Sequence, residues 1–139
     1  MTAVRAKCSI RPKLGIVLGS GLGPLADKLE RAQSIPYADI PSMPRPSVAG
    51  HSGRLTFGGL CGVDTACLEG RVHLYEGHEP ETVVFGVRLL AKLGCQVVLL
   101  TNAAGGTTPK HAPGSLLLIA DHINLTGRNP LMGWNHPAS

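Results

Sequence analysis

The sequence predicts an α/β protein whose sheet contains parallel strand pairs. Three observations carry that expectation. Apolar runs of strand length alternate with a helix-length amphipathic segment, two of those runs end in loops of small residues, and 18 Gly and 11 Pro punctuate the 139-residue chain. A chain of this length suits one domain, so residues 1–139 are read as a single α/β domain. At that size roughly two thirds of the unfolded surface is buried, enough for a real core.

The elements follow in order. The start, MTAVRAKCSIRPK, is basic, free of acids and without the apolar centre of a secretory leader, and is expected to be a solvated, frayed terminus. Residues 14–18, LGIVL, form a strand-length apolar run that stops at Gly19-Ser20-Gly21-Leu22-Gly23-Pro24, and residues 25–31 look helical. Residues 54–57 and 65–68 flank a glycine-rich stretch, 58–64, and read as two strands joined by a turn. Residues 79–93 form a helix pattern, with Pro80 at its start, Val83, Val84, Val87, Leu90 and Ala91 on one face, and Gly94 as the stop. Residues 96–101 then read as a buried strand ending at Asn102-Ala103-Ala104-Gly105-Gly106, and residues 116–120 as another. No apolar run approaches the length of a membrane span.

Charge and cysteine content narrow the function. The net charge is +4 and the pI about 9.1, but the 13 Lys and Arg are dispersed and the two Phe, two Tyr and one Trp are scattered. Nucleic-acid binding needs a basic stripe with stacking aromatics, and neither is present; a small anionic substrate fits better. Cys8, Cys61, Cys67 and Cys95 form no C-x-x-C pair, and no His pair has zinc-finger spacing, so neither a metal nor a disulfide framework is expected. Reduced thiols in a cytoplasmic protein are the expectation.

The chemistry concentrates in a few short motifs. In GRVHLYEGH, residues 70–78, an extended chain would line Arg71, His73 and Tyr75 on one side and Val72 and Leu74 on the other. Such a row is either a solvated edge or the wall of an anion site. GSGLG is neither a Walker A loop nor G-x-G-x-x-G, and each small-residue loop alone reads as a tight turn. Loops of this kind at the carboxyl ends of strands, together with an Arg row, point to an anion held by backbone N–H groups. Gly50-His51-Ser52-Gly53-Arg54 adds a polar cluster after Pro41, Pro44 and Pro46, which reads by itself as an exposed loop and, functionally, as a mobile lid or an anion contact.

GIVLGSGLG, VAGHSGRL, GRVHLYEGH, VVLLTNAAGG and ADHINLTGRNPL, in this order across residues 14–131, resemble the trimeric, inosine- and guanosine-cleaving purine nucleoside phosphorylases. The resemblance implies a mixed, partly parallel sheet flanked by helices, of the phosphorylase/nucleosidase type and incomplete toward the C-terminus. It implies that phosphate is bound by Ser20, His51, Arg71, His73 and the backbone of Ala103, and ribose by Tyr75. Glu76 would orient a neighbour, Asp121 and His122 would make structural hydrogen bonds, and His78, His111 and His136 would lie on the surface. The implied reaction is phosphorolysis of a purine nucleoside to free base and ribose 1-phosphate, in purine salvage. Phosphate would be a co-substrate, with no metal or organic cofactor and no nucleic-acid or membrane partner. The implied assembly is a homotrimer.

The resemblance covers the N-terminal half of the family's chain. After Glu81 the only acid is Asp121, whereas the family's purine-binding glutamate and asparagine lie in a C-terminal half. The chain is therefore expected to be a truncated product, one piece of an enzyme completed by a C-terminal half, or a non-catalytic phosphate-binding module. An isolated half is expected to leave a sheet edge and apolar surface uncovered.

Overall fold

The computed structural model describes residues 2–47 and 52–132. Residues up to Ala103 form one compact unit, and Ala104 onward forms a second. The first unit is a five-stranded mixed sheet in the order β2-β3-β4-β1-β5. Its strands are β1 (Leu14–Leu18), β2 (Glu30–Pro36), β3 (Arg54–Leu60), β4 (Val63–Glu69) and β5 (Val97–Leu100). β1 runs parallel to both β4 and β5, pairing Ile16 with Cys67 and with Leu99, while β2, β3 and β4 are antiparallel. The helices are α1 (Thr2–Lys7), α2 (Pro80–Val83) and α3 (Phe85–Lys92), with short 3-10 turns at Gly23–Lys28, Tyr37–Asp39 and Leu74–Glu76.

Alternation along the strands sorts the core onto two faces. On one face Val17, Leu55, Phe57, Ala66 and Leu68 pack with Leu89, Leu90 and Leu93 of α3. On the other, Ile16, Leu18 and Cys67 pack with Ala26 and Leu29. Each fully buried Leu or Phe contributes about 1.5–3 kcal/mol. Gly15 lies beneath α3 because a Cβ there would come within 2.9 Å of Leu90 Cδ1.

Several expectations are met at the element level. β1 occupies the predicted span, and the glycine-rich stretch is a hairpin. Both strands extend into the glycines, leaving Cys61 and Gly62 as a two-residue turn with φ of 49° and 78°. The helix predicted over 79–93 is interrupted at Val84, whose ψ of 0° separates α2 from α3, and Gly94 stops it in the left-handed region.

Other expectations are corrected. The N-terminus is not frayed: Val4 and Cys8 are buried in the main core, and Arg5 donates to the carbonyls of Ile10 (2.8 Å) and Leu93 (2.6 Å). The helix expected over 25–31 is a 3-10 turn that gives way to β2 at Glu30. β2 escaped the sequence reading because Ile35 is its one buried residue; the ladder to β3 holds it. β5 was expected to be buried but is a sheet edge among the described residues, with Val97, Leu99 and Leu100 exposed.

The second unit contains no helix or strand among its described residues, so 116–120 is not a strand. An apolar run becomes a strand only when its backbone groups find a ladder partner, and among the described residues none pairs with it. Its described part is built from local turns, such as Asn124 Oδ1 accepting from the amide (3.0 Å) and hydroxyl (2.6 Å) of Thr126. Asp121 and His122 are exposed, and Asp121 Oδ1 accepts the His122 N–H at 2.8 Å. That is a local bond between adjacent residues.

Candidate functional site

The carboxyl ends of the parallel strands β1, β4 and β5 meet at Thr101. Its hydroxyl accepts the Gly19 N–H at 2.9 Å and donates to the Val17 carbonyl at 2.9 Å, tying the loop after β1 to the end of β5. Its own carbonyl accepts from Arg71 Nη1 at 2.6 Å, which brings in the segment after β4. Only glycine fits at position 19, because a Cβ would lie 2.7 Å from the Thr101 carbonyl oxygen. Ser20, next in the chain, is exposed at the start of a turn closed by Leu22 N–H to Gly19 O at 3.2 Å. Ala103 follows Thr101 by two residues, is exposed, and ends the compact unit. The structure thus brings Ser20, Arg71 and Ala103 to one strand-end corner.

The row predicted for residues 71–75 holds only in part. Arg71 and His73 are half-buried on either side of a buried Val72, but the chain then turns into the 3-10 segment Leu74–Glu76 and leaves Leu74 exposed. The His73 and Tyr75 rings nevertheless stack, with centroids 4.7 Å apart and planes 11° from parallel. Glu76 has the orienting position foreseen for it. Its carboxylate accepts the His73 N–H (2.7 Å) and the Ser47 hydroxyl and N–H, forming a capping box with His73. Those bonds, the Ser47 hydroxyl foremost, hold the Glu76 carboxyl below its ordinary range. Tyr75 is 75% exposed, open to a ligand from solvent. His78 is half-buried and His111 exposed, while His51 and His136 lie outside the described residues.

Two hollows flank this corner. One, of about 310 Å³, lies on the α3 side between Arg71, Asn102 and an apolar wall that includes Val17, Met43, Leu68 and Val87. The other, of about 230 Å³, lies on the opposite side and is lined by Gly19, Asp27, Ser52, Arg54 and Glu69 among others. Glu69 is 4% exposed, and its carboxylate accepts from Ser52 Oγ (2.7 Å), Arg54 Nη2 (2.8 Å) and the Thr56 hydroxyl. Burial pushes this carboxyl up, but the hydrogen bonds from Thr56, Ser52 and Arg54 outweigh it and hold the group below its ordinary value. Burial, and then the Glu69 charge, push the Cys67 thiol up to about 12, so it is neutral and no nucleophile. Among the described residues no cluster of His, Cys, Asp or Glu could hold a metal ion, and no helix is long and apolar enough to cross a membrane.

Sequence reasoning missed Thr101 and Glu69. Each ends an apolar run, VVLLT and TACLE, and a polar residue closing a buried strand at the loop end was the available signal.

Residues 13–138 match the family described as the phosphorylase superfamily. Purine nucleoside phosphorylase 1 of Geobacillus stearothermophilus is 46% identical over 135 residues, covering 97% of this chain and 49% of that protein. Its Bacillus subtilis (strain 168) counterpart is 48% identical over 124 residues, covering 89% of this chain and 46% of that protein. Among solved structures, Schistosoma purine nucleoside phosphorylase in complex with hypoxanthine aligns with a TM-score of 0.87 at 40% identity, over 97% of this chain and 48% of that one. The Schistosoma mansoni enzyme in complex with inosine aligns with a TM-score of 0.87 at 38% identity, over the same shares. The chain spans about half the length of the curated relatives it matches. With the sheet, the strand-end corner and the sequence match in agreement, the chain belongs to the phosphorylase superfamily.

Proposed function

We propose that this chain carries the phosphate side and part of the ribose side of a purine nucleoside phosphorylase, cleaving inosine- or guanosine-type nucleosides to free purine and ribose 1-phosphate in purine salvage. The observation that carries this reading is the Thr101 junction, where Arg71 and the Gly19–Ser20 turn meet on one residue. Relatives named as purine nucleoside phosphorylases, solved with inosine and with hypoxanthine, support the substrate class.

In this reading Arg71, His73, Ser20, His51 and the Ala103 amide hold the phosphate dianion, and Tyr75 contacts the ribose. Arg suits the task because its planar, permanently charged fork matches two phosphate oxygens. A phosphate oxygen forms the bond to the sugar C1′ while the bond from C1′ to the purine nitrogen breaks. That bonding pair leaves with the purine, which takes up a proton. The dianion also stabilises the positive charge that develops at C1′. No cofactor is needed, phosphate being the co-substrate. We assign the protein to the cytoplasm and to a homotrimer, with residues 1–139 forming part of one α/β domain that a C-terminal half completes.

A second reading, a phosphate-binding module without turnover, is favoured by one observation. Asp121 is exposed and bonded to its neighbour's backbone rather than presented to a base. The test follows hypoxanthine release from inosine with and without phosphate, alongside a phosphate titration. The chain alone is expected to bind phosphate weakly and to show negligible turnover, and the family's C-terminal half added in trans is expected to restore phosphate-dependent release. Robust turnover by the chain alone would overturn the half-site expectation. Absence of phosphate binding would sink the reading itself.

A further inference from the structure

Glu69 is the one charged residue buried among the described residues, and nothing in the proposed reaction uses it. Burying a carboxylate costs several kcal/mol unless every lone pair is satisfied, and an apolar residue of similar volume often serves stability as well or better. Its presence therefore calls for a role in fixing geometry, and its position supplies one. Glu69 is the last residue of β4, paired with Leu18 of β1 on one side and Arg54 of β3 on the other. Gly19 follows Leu18, and Arg71 lies two residues beyond Glu69.

Glu69 grips the segment entering β3 through both its backbone and its side chain. Gly53, at φ 65°, donates its N–H to the Glu69 carbonyl (2.9 Å), while the Glu69 carboxylate accepts from Ser52 and Arg54 on either side of it. Tyr37 completes the frame: its N–H donates to Gly53 O and its hydroxyl to Gly70 O, both at 2.8 Å. One carboxylate thus joins the Ser52–Arg54 turn to the strand end from which Arg71 departs. It also engages the Arg54 guanidinium beside the same hollow that Gly19 lines.

We infer that Glu69 is a positioning residue, a carboxylate clamp that locks the Ser52–Arg54 turn to the end of β4 and so sets the frame in which Arg71 and the Gly19–Ser20 turn face a bound phosphate. This rests on the phosphate reading above and deepens it. The clamp requires an acceptor at two hydroxyls and one guanidinium. Gln keeps both hydroxyl contacts, its Oε1 accepting from one hydroxyl and its amide N–H donating to the other, and releases Arg54, which is 47% exposed and hydrates readily. Ala removes the shared acceptor, so Ser52 and Arg54 turn to solvent, Thr56 keeps only Ser34, and nothing ties the three together.

The test is phosphate titration by calorimetry on the 139-residue chain, well below each variant's melting temperature. Glu69→Ala is expected to weaken phosphate binding about tenfold or more, and Glu69→Gln to stay within about threefold of wild type, since small displacements of binding groups carry large penalties. Where Glu69→Ala fails to fold, Ser52→Ala removes one arm of the clamp from a partly exposed site, with an expected loss of about threefold. A melting temperature that falls in Glu69→Ala or Ser52→Ala while the phosphate affinity of the folded molecules stays within twofold would overturn the inference, leaving Glu69 a stability residue. Wild-type chain that binds no phosphate would sink the phosphate reading instead, and amide hydrogen exchange then decides the clamp. Loss of protection in Glu69→Ala confined to Gly53 and its neighbours supports it. Loss spread evenly over β3 and β4 overturns it.

Discussion

Two aliphatic runs of nearly the same composition have opposite fates. Residues 97–100, VVLL, pair in parallel with β1 and form β5, whereas residues 116–119, LLLI, form no strand and are 94%, 63%, 93% and 65% exposed. The difference is the ladder. β1 offers β5 a row of N–H and C=O groups in register, and Thr101 pins its end; among the described residues the second run has neither. Apolarity makes burial favourable, but a strand also needs its backbone polar groups satisfied. Even β5 is covered on one side only, so its Val97 and Leu100 remain over 60% exposed.

The strongest way to break this comparison is to truncate one leucine in the core of the compact unit and one in the second run. Leu90→Ala, at a site with no exposure and directly over Gly15, is expected to cost about 2–5 kcal/mol in chemical denaturation. Leu118→Ala is expected to stay within about 0.5 kcal/mol. Equal losses would mean that the second region is packed in solution.

Function should divide along the same line. Arg71→Ala is expected to reduce phosphate affinity by about tenfold or more, the loss of a charge-assisted contact, with a cooperative melt retained. A matching change at Arg128, in the second region, should leave the titration unaltered.

Acid sharpens the contrast further. Because the folded-state pKa of Glu69 is lowered, its stabilising contribution is present above the ordinary carboxylate value of about 4.3 and is lost as pH falls below that toward the folded value. Wild type should lose stability more steeply between about pH 6 and pH 3 than Glu69→Gln does; parallel curves would remove Glu69 from the balance.

Smaller effects belong to the surface of the compact unit. Cys61 occupies the left-handed region at φ 49° in the β3–β4 turn, so Cys61→Asn should raise stability by about 0.5–1 kcal/mol. Lys7→Ala, which breaks an ion pair about half exposed on both sides, should cost no more than about 0.5 kcal/mol.

Much of the fold was legible because its signals are local. The apolar run of β1, the glycine turn between β3 and β4, and the Pro80-to-Gly94 helix each declare themselves within a dozen residues. β2 did not, since a strand with one buried side chain carries no period-two pattern. α1 did not either: what orders it is Arg5 reaching the Leu93 carbonyl, 88 positions away. The candidate site divides in the same manner. Arg71, His73, Tyr75 and Ser20 were readable as motif residues, yet the bend at Leu74 that ends their row was not.

By itself the sequence determined which residues bear the chemistry and which runs seek burial, since residue type and spacing are properties of the chain alone. Only the tertiary structure decided that Arg71, Gly19 and Thr101 share a corner, that Glu69 is buried and bonded three ways, and that one aliphatic run pairs while another does not. Those outcomes depend on long-range hydrogen bonding, where the partner's distance in sequence leaves no local trace.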